Sequence, residues 1–383
     1  MKNWKLKSNV FLKSLVGIAI ITIAFIQVAR ADEASPCGGD IKVREVRYYP
    51  INGTLITNAL DTRSDGSNGF EVRMEGKFHY VRAAGTVLKN RPVLIFNHGH
   101  EQNRGEVCGT VRFFTERDWV VFVPLRRGHT LDENEDGDTG DSGEIRSTGI
   151  HIDQYVDYCM RTFAEAVTSF RPQLYCTAPN TCRPDVSCSS PNKRNAVETE
   201  YLDQQRTDIR EQIAFIKTVK AITDPDVTTS QKLANAKQIT IIGHSYGGSA
   251  VIFANAFDYG QNVAVSVSGA ELSWGDDEPY WETDLVAAMQ SQARPMYFLQ
   301  PKNGRTLLPT RRLFWEAVQN GNRSMAQIFP PAPCEVAGDV SPCELHPNGD
   351  PEWRQAHNTF LSDDQIALWG PGLIEFSKRY RRE

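Results

Sequence analysis

The chain has 383 residues, of which 40% are hydrophobic and 23% charged, and its formal net charge at neutral pH is −5. This length suits one large domain, or one domain with insertions. The excess of acidic residues argues against nucleic acid or an anionic membrane surface as a partner.

The first 31 residues predict a secretory signal peptide. Lysines precede an apolar run from about Leu15 to Val28, and Ala29-Arg30-Ala31 is a small-x-small cleavage site before Asp32. The apolar run is short of the ~20 residues of a membrane span, so an uncleaved anchor is the weaker interpretation. We therefore expect residues 32–383 to form one exported domain, periplasmic or extracellular, without a stable membrane anchor.

Short apolar runs alternate with helical patterns in the rest of the chain. Buried strands are predicted at residues 92–97, 119–124, 238–243, 262–268, 294–300 and 325–331, and helices around residues 202–216, 310–318 and 373–380. Apolar runs without polar alternation suit a parallel sheet that is covered on both faces. Residues 41–88 alternate more and predict an antiparallel edge of the same sheet. The chain is therefore expected to be an α/β domain.

Two arginines follow the second of these strands. Arg126 and Arg127 could hold a substrate carboxylate, because a guanidinium group binds a carboxylate bidentately. An Arg-Gly pair at such a place more often ties loops together, and this structural interpretation is favoured.

Two segments interrupt the pattern and are expected to be loop insertions, near residues 131–149 and 172–200. The first contains D-x-N-x-D-G from Asp132 to Gly137, the beginning of a calcium loop, but Gly143 stands where an EF-hand has its last glutamate. A solvated acidic loop is therefore favoured over a calcium site across Asp132–Glu144. The second segment is rich in Cys, Pro and Ser and has no period.

The segment ITIIGHSYGGSA, residues 239–250, ends a predicted strand with G-x-S-x-G and continues into small residues that open a helix. This combination is typical of a nucleophile elbow, a sharp turn that lifts the serine hydroxyl above the sheet. Ser245 is therefore the candidate nucleophile, and the backbone N–H of Tyr246 is a candidate donor to an oxyanion. The alternative is a glycine-rich turn that binds another ligand or none.

The chain resembles the α/β-hydrolases, and among them the dienelactone hydrolase and prolyl-oligopeptidase-like group. The resemblance rests on the elbow and on the segments FNHGH, VPLRRGH, FLQPKNGRTLLPTR and AHNTF, which occur in the family's order between residues 92 and 379. It implies an α/β-hydrolase fold with a mostly parallel central sheet of about eight strands and helices on both faces. It also implies ester or related acyl hydrolysis by a Ser–acid–His triad in that chain order. A loop after the first buried strand then supplies a second oxyanion N–H, for which the His100 backbone is the candidate.

The resemblance places the catalytic histidine after the last strand, where His346 and His357 are the candidates. His357 lies in the segment QAHNTF before the closing helix, which matches the family's small-residue–His–small pattern, and it is favoured. His346 lies in a Pro/Gly loop beside Cys343 and is interpreted as a solvated loop histidine.

The triad acid is where the sequence departs from the family. Asn303 and Gly304 occupy the position where the family usually has an aspartate, and no carboxylate lies between Gln300 and Glu316. Glu271 follows the predicted strand at residues 262–268, which neighbours the strand before Asn303, and it is the candidate acid. An ordinary loop glutamate is the other interpretation of Glu271, and Asn303 or another loop carboxylate could serve in its place.

All eight cysteines follow the predicted cleavage site, and an even number in an exported chain is typical of disulfide bonds. Cys334 and Cys343 enclose a short loop and are expected to pair, whereas the other pairings stay open. No C-x-x-C motif is present in the sequence, and we expect neither a metal nor another cofactor.

The function expected from these residues is that of an exported serine hydrolase. It would act on small-molecule carboxylic esters through Ser245, His357, Glu271 and an acyl-enzyme. A peptidase or amidase of the prolyl-oligopeptidase type is the alternative among enzymes, although no propeller domain precedes the hydrolase segment. The alternative outside the enzymes is a catalytically weak binding protein with a degenerate triad. The missing aspartate is the main observation in support of this alternative.

Overall fold

The computed structural model describes residues 33–48, 61–62, 74–99, 104–127, 129–131, 145–146, 149–150, 174–175, 183–184, 191–223, 229–269, 280–302, 306–330, 333–336, 339–342, 357 and 360–382. The strands of its central sheet are β1 (Glu33–Ala34), β2 (Ile41–Tyr48), β3 (Met74–Val81), β4 (Arg91–Asn97), β5 (Val120–Pro124), β6 (Ala234–His244), β7 (Val263–Val267), β8 (Met296–Pro301) and β9 (Met325–Phe329). The helices are α1 (Arg104–Thr115), α2 (Pro191–Thr218), α3 (Tyr246–Asn255), α4 (Tyr280–Gln290), α5 (Leu307–Gln319) and α6 (Asp363–Arg379). Short antiparallel pairs outside this sheet are Asp61–Thr62 with Arg183–Pro184, Thr130–Leu131 with Ile145–Arg146, Gly149–Ile150 with Leu174–Tyr175, and Pro333–Val336 with Asp339–Pro342.

The strands lie in the order β1-β2-β3-β5-β4-β6-β7-β8-β9 across the sheet. β2 pairs antiparallel with β1 and β3, and β3 also pairs antiparallel with β5. Every pair from β5 to β9 is parallel. Apart from the two-residue β1, the sheet therefore has eight strands in the order of the α/β-hydrolase fold. The expected fold class and the expected antiparallel edge are both confirmed.

Both faces of β5, β7 and β8 are fully buried, whereas the edge strand β9 is partly exposed. Apolar runs without polar alternation suit such central parallel strands. Successive residues of β6 point to opposite faces: Ile241 packs in the core that α2 and α3 cover, and Ile242 in the core that α1 and α6 cover. On the second face, the fully buried Trp369 of α6 donates its indole N–H to the Phe360 carbonyl oxygen at 3.1 Å. Two helical layers thus enclose the sheet, and polar segments follow the carboxyl ends of its strands.

The segment expected as the second loop insertion overlaps a helix. It was expected near residues 172–200, but α2 begins at Pro191 and takes up its last ten residues. Proline is favoured at the first position of a helix, where its fixed φ suits the helix and its missing N–H leaves no hydrogen bond unmade. The bias toward Cys, Pro and Ser in the preceding residues hid this helix start.

Cys37 and Cys108 form a disulfide, with their Cα atoms 4.9 Å apart. It joins the turn between β1 and β2 to α1, and both cysteines are buried in the core on that face of the sheet. Cys334 lies in one of the short strands, but Cys343 lies outside the described residues. The Cys334–Cys343 disulfide therefore stays a prediction.

Two further expectations fall on residues that the structure does not describe: the signal peptide and the calcium-binding interpretation of Asp132–Glu144. Within the described residues, no helix is long and apolar enough to cross a bilayer. In the same part of the chain, no three His, Cys, Asp or Glu side chains are grouped so that they could hold a metal ion.

Candidate active site

Ser245 lies at the turn between β6 and α3, at the carboxyl edge of the parallel strands. Its backbone has φ 55° and ψ −121°, in the half of backbone space that side chains other than glycine rarely adopt. The turn is held by hydrogen bonds from the Ser245 N–H to the Val267 carbonyl oxygen at 3.1 Å and from the Gly248 N–H to the Ser245 carbonyl oxygen at 2.8 Å. Ser245 is partly exposed, whereas its neighbours from Ile241 to Ala250 are buried. The sequence motif thus forms the expected elbow, with its serine presented to solvent.

The two outer glycines of the motif are required by close backbone contacts. A methyl group at Gly243 would lie 1.9 Å from the Gly247 carbonyl oxygen, and one at Gly247 would lie 2.1 Å from the Asn97 carbonyl oxygen. Real Cβ atoms do not approach other atoms so closely. Glycine at both positions therefore allows β6, α3 and the end of β4 to meet behind Ser245.

The segment after β4 lies directly against the elbow. A methyl group at Gly99 would lie 3.1 Å from the Ser245 Cβ atom. His98 is buried, and its Nδ1 atom lies 2.9 Å from the Gly99 carbonyl oxygen. His100, the candidate oxyanion donor from this segment, lies outside the described residues. Tyr246 is the first residue of α3, and a helix N-terminus directs its backbone N–H groups toward a bound anion.

His357 is brought to the elbow from the far end of the chain. Its ring centroid lies 4.3 Å from that of His244, the residue before Ser245, and the His244 Nε2 atom lies 3.0 Å from the His357 carbonyl oxygen. The His357 side chain is buried, with 7% of the residue exposed. Burial, with a smaller contribution from His244, holds the pKa of His357 well below its usual range. The imidazole is therefore neutral near pH 7, which is the form that accepts a proton.

Both candidates for the orienting acid lie outside the described residues: Glu271 after β7, and Asn303 after β8. The competing histidine candidate, His346, lies outside them as well. The ends of β7 and β8 lie side by side, with the Ser268 N–H donating to the Leu299 carbonyl oxygen at 3.0 Å. Segments that follow these two strands therefore start from neighbouring places at the same edge of the sheet.

The two arginines after β5 make structural contacts. Arg127 is 2% exposed, its side chain is bound to the Asp208 carboxylate, and its backbone N–H donates to the same carboxylate at 3.0 Å. Arg126 is 4% exposed and donates from Nη2 to the Gly99 carbonyl oxygen at 2.8 Å. These contacts support the structural interpretation of the pair and leave the substrate-carboxylate interpretation without support.

Sequence reasoning missed three residues that contact the candidates: Asp208 of α2 binds Arg127, His129 contacts Arg126, and His244 packs against His357. Asp208 could be placed only on a helix, because nothing in the sequence shows which loop the helix packs against. His244 occupies the first variable position of the G-x-S-x-G motif, where any residue type is allowed. Its place next to Ser245 was the one available signal.

No protein-family model matches the chain, and no curated protein matches it in sequence. Among solved structures it is similar to an acetyl xylan esterase from Paenibacillus sp. R4, with 12% identity and a TM-score of 0.45 over 93% of this chain and 89% of that one. A dienelactone hydrolase-like promiscuous phosphotriesterase from metagenomic libraries has 10% identity and a TM-score of 0.44 over 90% of this chain and all of that one. An esterase from Pyrococcus furiosus has 11% identity and a TM-score of 0.43 over 86% and 95% of the two chains. What assigns this chain to the α/β-hydrolase fold is its own strand order, with the serine elbow between β6 and α3.

Proposed function

We propose that the protein is a serine hydrolase that cleaves carboxylic esters. Ser245 attacks the ester carbonyl while His357 takes the hydroxyl proton, and His357 then gives that proton to the leaving alcohol. Water attacks the resulting acyl-enzyme with His357 again as the base, and the carboxylic acid leaves. Small-molecule esters are the proposed substrates.

The strained backbone of Ser245 is the observation that carries this proposal. A non-glycine residue with φ 55° at a strand–helix junction holds its side chain away from the sheet, and such strain persists where the surroundings enforce it. The enforcing contacts are the glycine approaches at Gly243 and Gly247. Gly99 lies against the Ser245 side chain, and the ring of His357 packs on that of His244, the residue before Ser245.

Negative charge on the carbonyl oxygen in the transition state needs N–H donors. The proposed donors are the backbone N–H groups of Tyr246 and His100, the first at the N-terminus of α3 and the second next to Gly99. Removing one such donor in other serine hydrolases costs about 10²–10³ in kcat. The oxyanion hole is therefore proposed to supply a large share of the rate.

Glu271 is proposed as the acid that orients His357 and stabilises its protonated ring. The usual aspartate position holds Asn303, and an amide can orient the ring but does not stabilise an imidazolium as a carboxylate does. The neighbouring ends of β7 and β8 support a carboxylate that reaches from the segment after β7. Glutamate is also one methylene longer than aspartate, which helps to span the distance.

Export to the periplasm or the extracellular medium is proposed on the N-terminal pattern and on cysteine usage. The Cys37–Cys108 disulfide supports it, since disulfides persist mainly in oxidising compartments. N-terminal sequencing of protein recovered from the periplasm or the medium tests it. Asp32 is the expected first residue, and a mature chain that still begins at Met1 would contradict the proposal.

Labelling and turnover of Ser245→Ala test the enzyme class. Wild-type protein is expected to react with a fluorophosphonate probe and to cleave p-nitrophenyl acetate or butyrate in preference to aminoacyl p-nitroanilides. Ser245→Ala is expected to lose both labelling and turnover while its circular dichroism spectrum stays that of the wild type. Ester turnover by a folded Ser245→Ala protein would remove the serine from the mechanism, and preferred cleavage of the anilides would make the enzyme a peptidase.

A further inference from the structure

Arg126 is buried and contacts the segment that follows β4. Its guanidinium donates from Nη2 to the Gly99 carbonyl oxygen at 2.8 Å, and the same Nη2 lies 3.3 Å from the His129 Nε2 atom. Its backbone N–H donates to the His98 Nε2 atom at 3.4 Å. Arg126, His98 and His129 are each less than 5% exposed. A buried cation is thus held against the carbonyl group of Gly99.

His98, beside this arginine, has one tautomer that satisfies its ring hydrogen bonds with Gly99 and Arg126. With the proton on Nδ1, His98 donates to the Gly99 carbonyl oxygen at 2.9 Å, and its Nε2 atom accepts from the Arg126 N–H. The Gly99 carbonyl oxygen then receives one donor from each side chain. Two donors from two directions fix the orientation of a carbonyl group more firmly than one does.

The carbonyl of Gly99 shares its peptide unit with the N–H of His100. A trans peptide is planar, and its C=O and N–H bonds point in opposite directions, so the direction of one sets the direction of the other. A positive charge at the oxygen also draws electron density along the peptide unit, which makes its N–H a stronger donor. We propose that Arg126 is a positioning residue of the oxyanion hole, which orients and polarises the peptide unit between Gly99 and His100. This inference rests on the proposed function.

Arg127 provides a matched control from the neighbouring position. It is also a buried arginine, but its side chain is bound to Asp208 and Thr207 of α2 and makes no described contact with Gly99. Replacement of Arg127 by methionine removes a buried cation of the same size from the same segment. It is therefore expected to lower stability without a specific effect on the oxyanion.

The test compares p-nitrophenyl acetate with its thionoester, in which sulfur replaces the carbonyl oxygen. Sulfur is larger and a weaker hydrogen-bond acceptor, so a thionoester gains little from an oxyanion hole. The ratio of the two rates does not depend on the fraction of active protein. Arg126→Met is expected to lower kcat for the ester by about 10- to 100-fold with little change in KM, below the loss of a whole donor. Its ester-to-thionoester ratio is expected to fall by a similar factor.

The other variants decide between a positioning and a purely structural role. Arg126→Lys keeps the positive charge but lacks the planar guanidinium group. Its ester-to-thionoester ratio is expected to lie between those of the wild type and Arg126→Met. Arg127→Met is expected to keep the wild-type ratio while it unfolds at lower urea concentration. A wild-type ratio in folded Arg126→Met would overturn the inference, as would an equal fall in Arg127→Met. If Arg126→Met does not fold, Arg126→Lys decides, and a wild-type ratio in that variant overturns the inference.

These outcomes separate the inference from the function on which it rests. A wild-type protein that neither cleaves esters nor reacts with the fluorophosphonate probe would overturn both. An active and labelled wild type with an unchanged ratio in folded Arg126→Met would overturn the positioning role alone.

Discussion

His357 combines a buried ring with a position against His244, the residue before the proposed nucleophile Ser245. A histidine whose pKa is lowered by burial stays neutral to more acidic pH than a histidine in solution. As the proposed general base it works only while it is neutral, so activity is present above its pKa and is lost as the pH falls through that value. The burial of this side chain therefore moves the acid limit of the proposed enzyme to lower pH.

The pH dependence of kcat/KM checks this consequence. For hydrolysis of a neutral ester, the acid-side inflection is expected below pH 6.5, because burial holds the pKa of His357 well below its usual range. Steady-state rates between pH 4 and pH 9, with enzyme checked for stability at each pH, give the inflection. An inflection at or above pH 7 would mean that the base in the free enzyme is not this ring as the structure places it.

Replacement of the two candidate acids is expected to distinguish them. Glu271→Gln should lower kcat by about two to four orders of magnitude with little change in KM, as for an interaction made mainly in the transition state. Asn303→Ala, the matched change at the usual acid position, should cost far less. The opposite pattern, an active Glu271→Gln protein and an inactive Asn303→Ala protein, would make the amide the third member of the triad.

Residues with a local sequence pattern could be placed before the structure, and residues whose role depends on packing could not. Ser245 carries its own motif, and His357 is favoured by the family's small-residue–His–small pattern before the last helix. The contact of Arg126 with Gly99 joins two loops that follow different strands, and neither loop contains a sign of the other. Sequence patterns therefore indicate the candidate reacting groups, whereas the contacts that hold these groups in place emerge from the fold.

At the scale of secondary structure, the elbow depends on the close approach of β6 and α3.

The runs predicted as strands are found, because continuous apolar runs are distinctive when both faces of a sheet are covered. The two-residue pairs, such as Gly149–Ile150 with Leu174–Tyr175, escaped prediction because two residues carry no periodicity. The start of α2 was missed for a different reason, since a proline and a polar first turn resemble a loop in composition.

Gly243→Ala is expected to disable the elbow. The added methyl group would meet the Gly247 carbonyl oxygen at 1.9 Å, so β6 and α3 must separate and Ser245 must move. A displacement of about 1 Å at a reacting group costs about 10²-fold in rate, and kcat for p-nitrophenyl acetate should fall at least that far.

Gly85→Ala is the control for this substitution. Gly85 has φ +73° and nothing within 4 Å of an added methyl group, so this variant bears backbone strain alone and lies in the turn after β3. It should lose about 1 kcal/mol of stability and keep its kcat. Equal activities of the two variants would show that the elbow tolerates the separation of β6 and α3.

At the scale of the whole molecule, two hydrophobic cores lie on opposite faces of one sheet, and the disulfide lies within one of them. Cys37 and Cys108 connect the first strands to α1 across 71 residues of sequence. A cross-link over such a length stabilises mainly by restricting the unfolded chain, by about 2–4 kcal/mol in typical proteins. The nucleophile elbow lies elsewhere in the chain, so this stabilisation is expected to be separable from activity.

The double variant Cys37→Ala/Cys108→Ala is expected to unfold more easily than the wild type but to remain active. Urea unfolding followed by tryptophan fluorescence should show a free energy of unfolding lower by about 2–4 kcal/mol, with ester hydrolysis at 25 °C retained. Wild-type protein unfolded in the presence of a reductant should lose at least as much, because a reductant also breaks the predicted Cys334–Cys343 disulfide. An unchanged urea midpoint in both experiments would contradict a stabilising role for this disulfide.

Because β4 pairs with β6, the centre of the sheet can form only after β6 has been synthesised. Ile95 and Ile241 face each other in the parallel pair at the centre of the sheet, although β5 and α2 separate them along the chain. When the N-terminus emerges first, strands β1 to β5 can assemble with one another and the Cys37–Cys108 disulfide can form. The edge of β4 that pairs with β6 stays open until residue 244 has emerged. Parallel pairing across such a distance is slow, and an open strand edge is a template for another chain. The interval between the appearance of β4 and that of β6 is therefore when a growing chain of this protein is most exposed to aggregation.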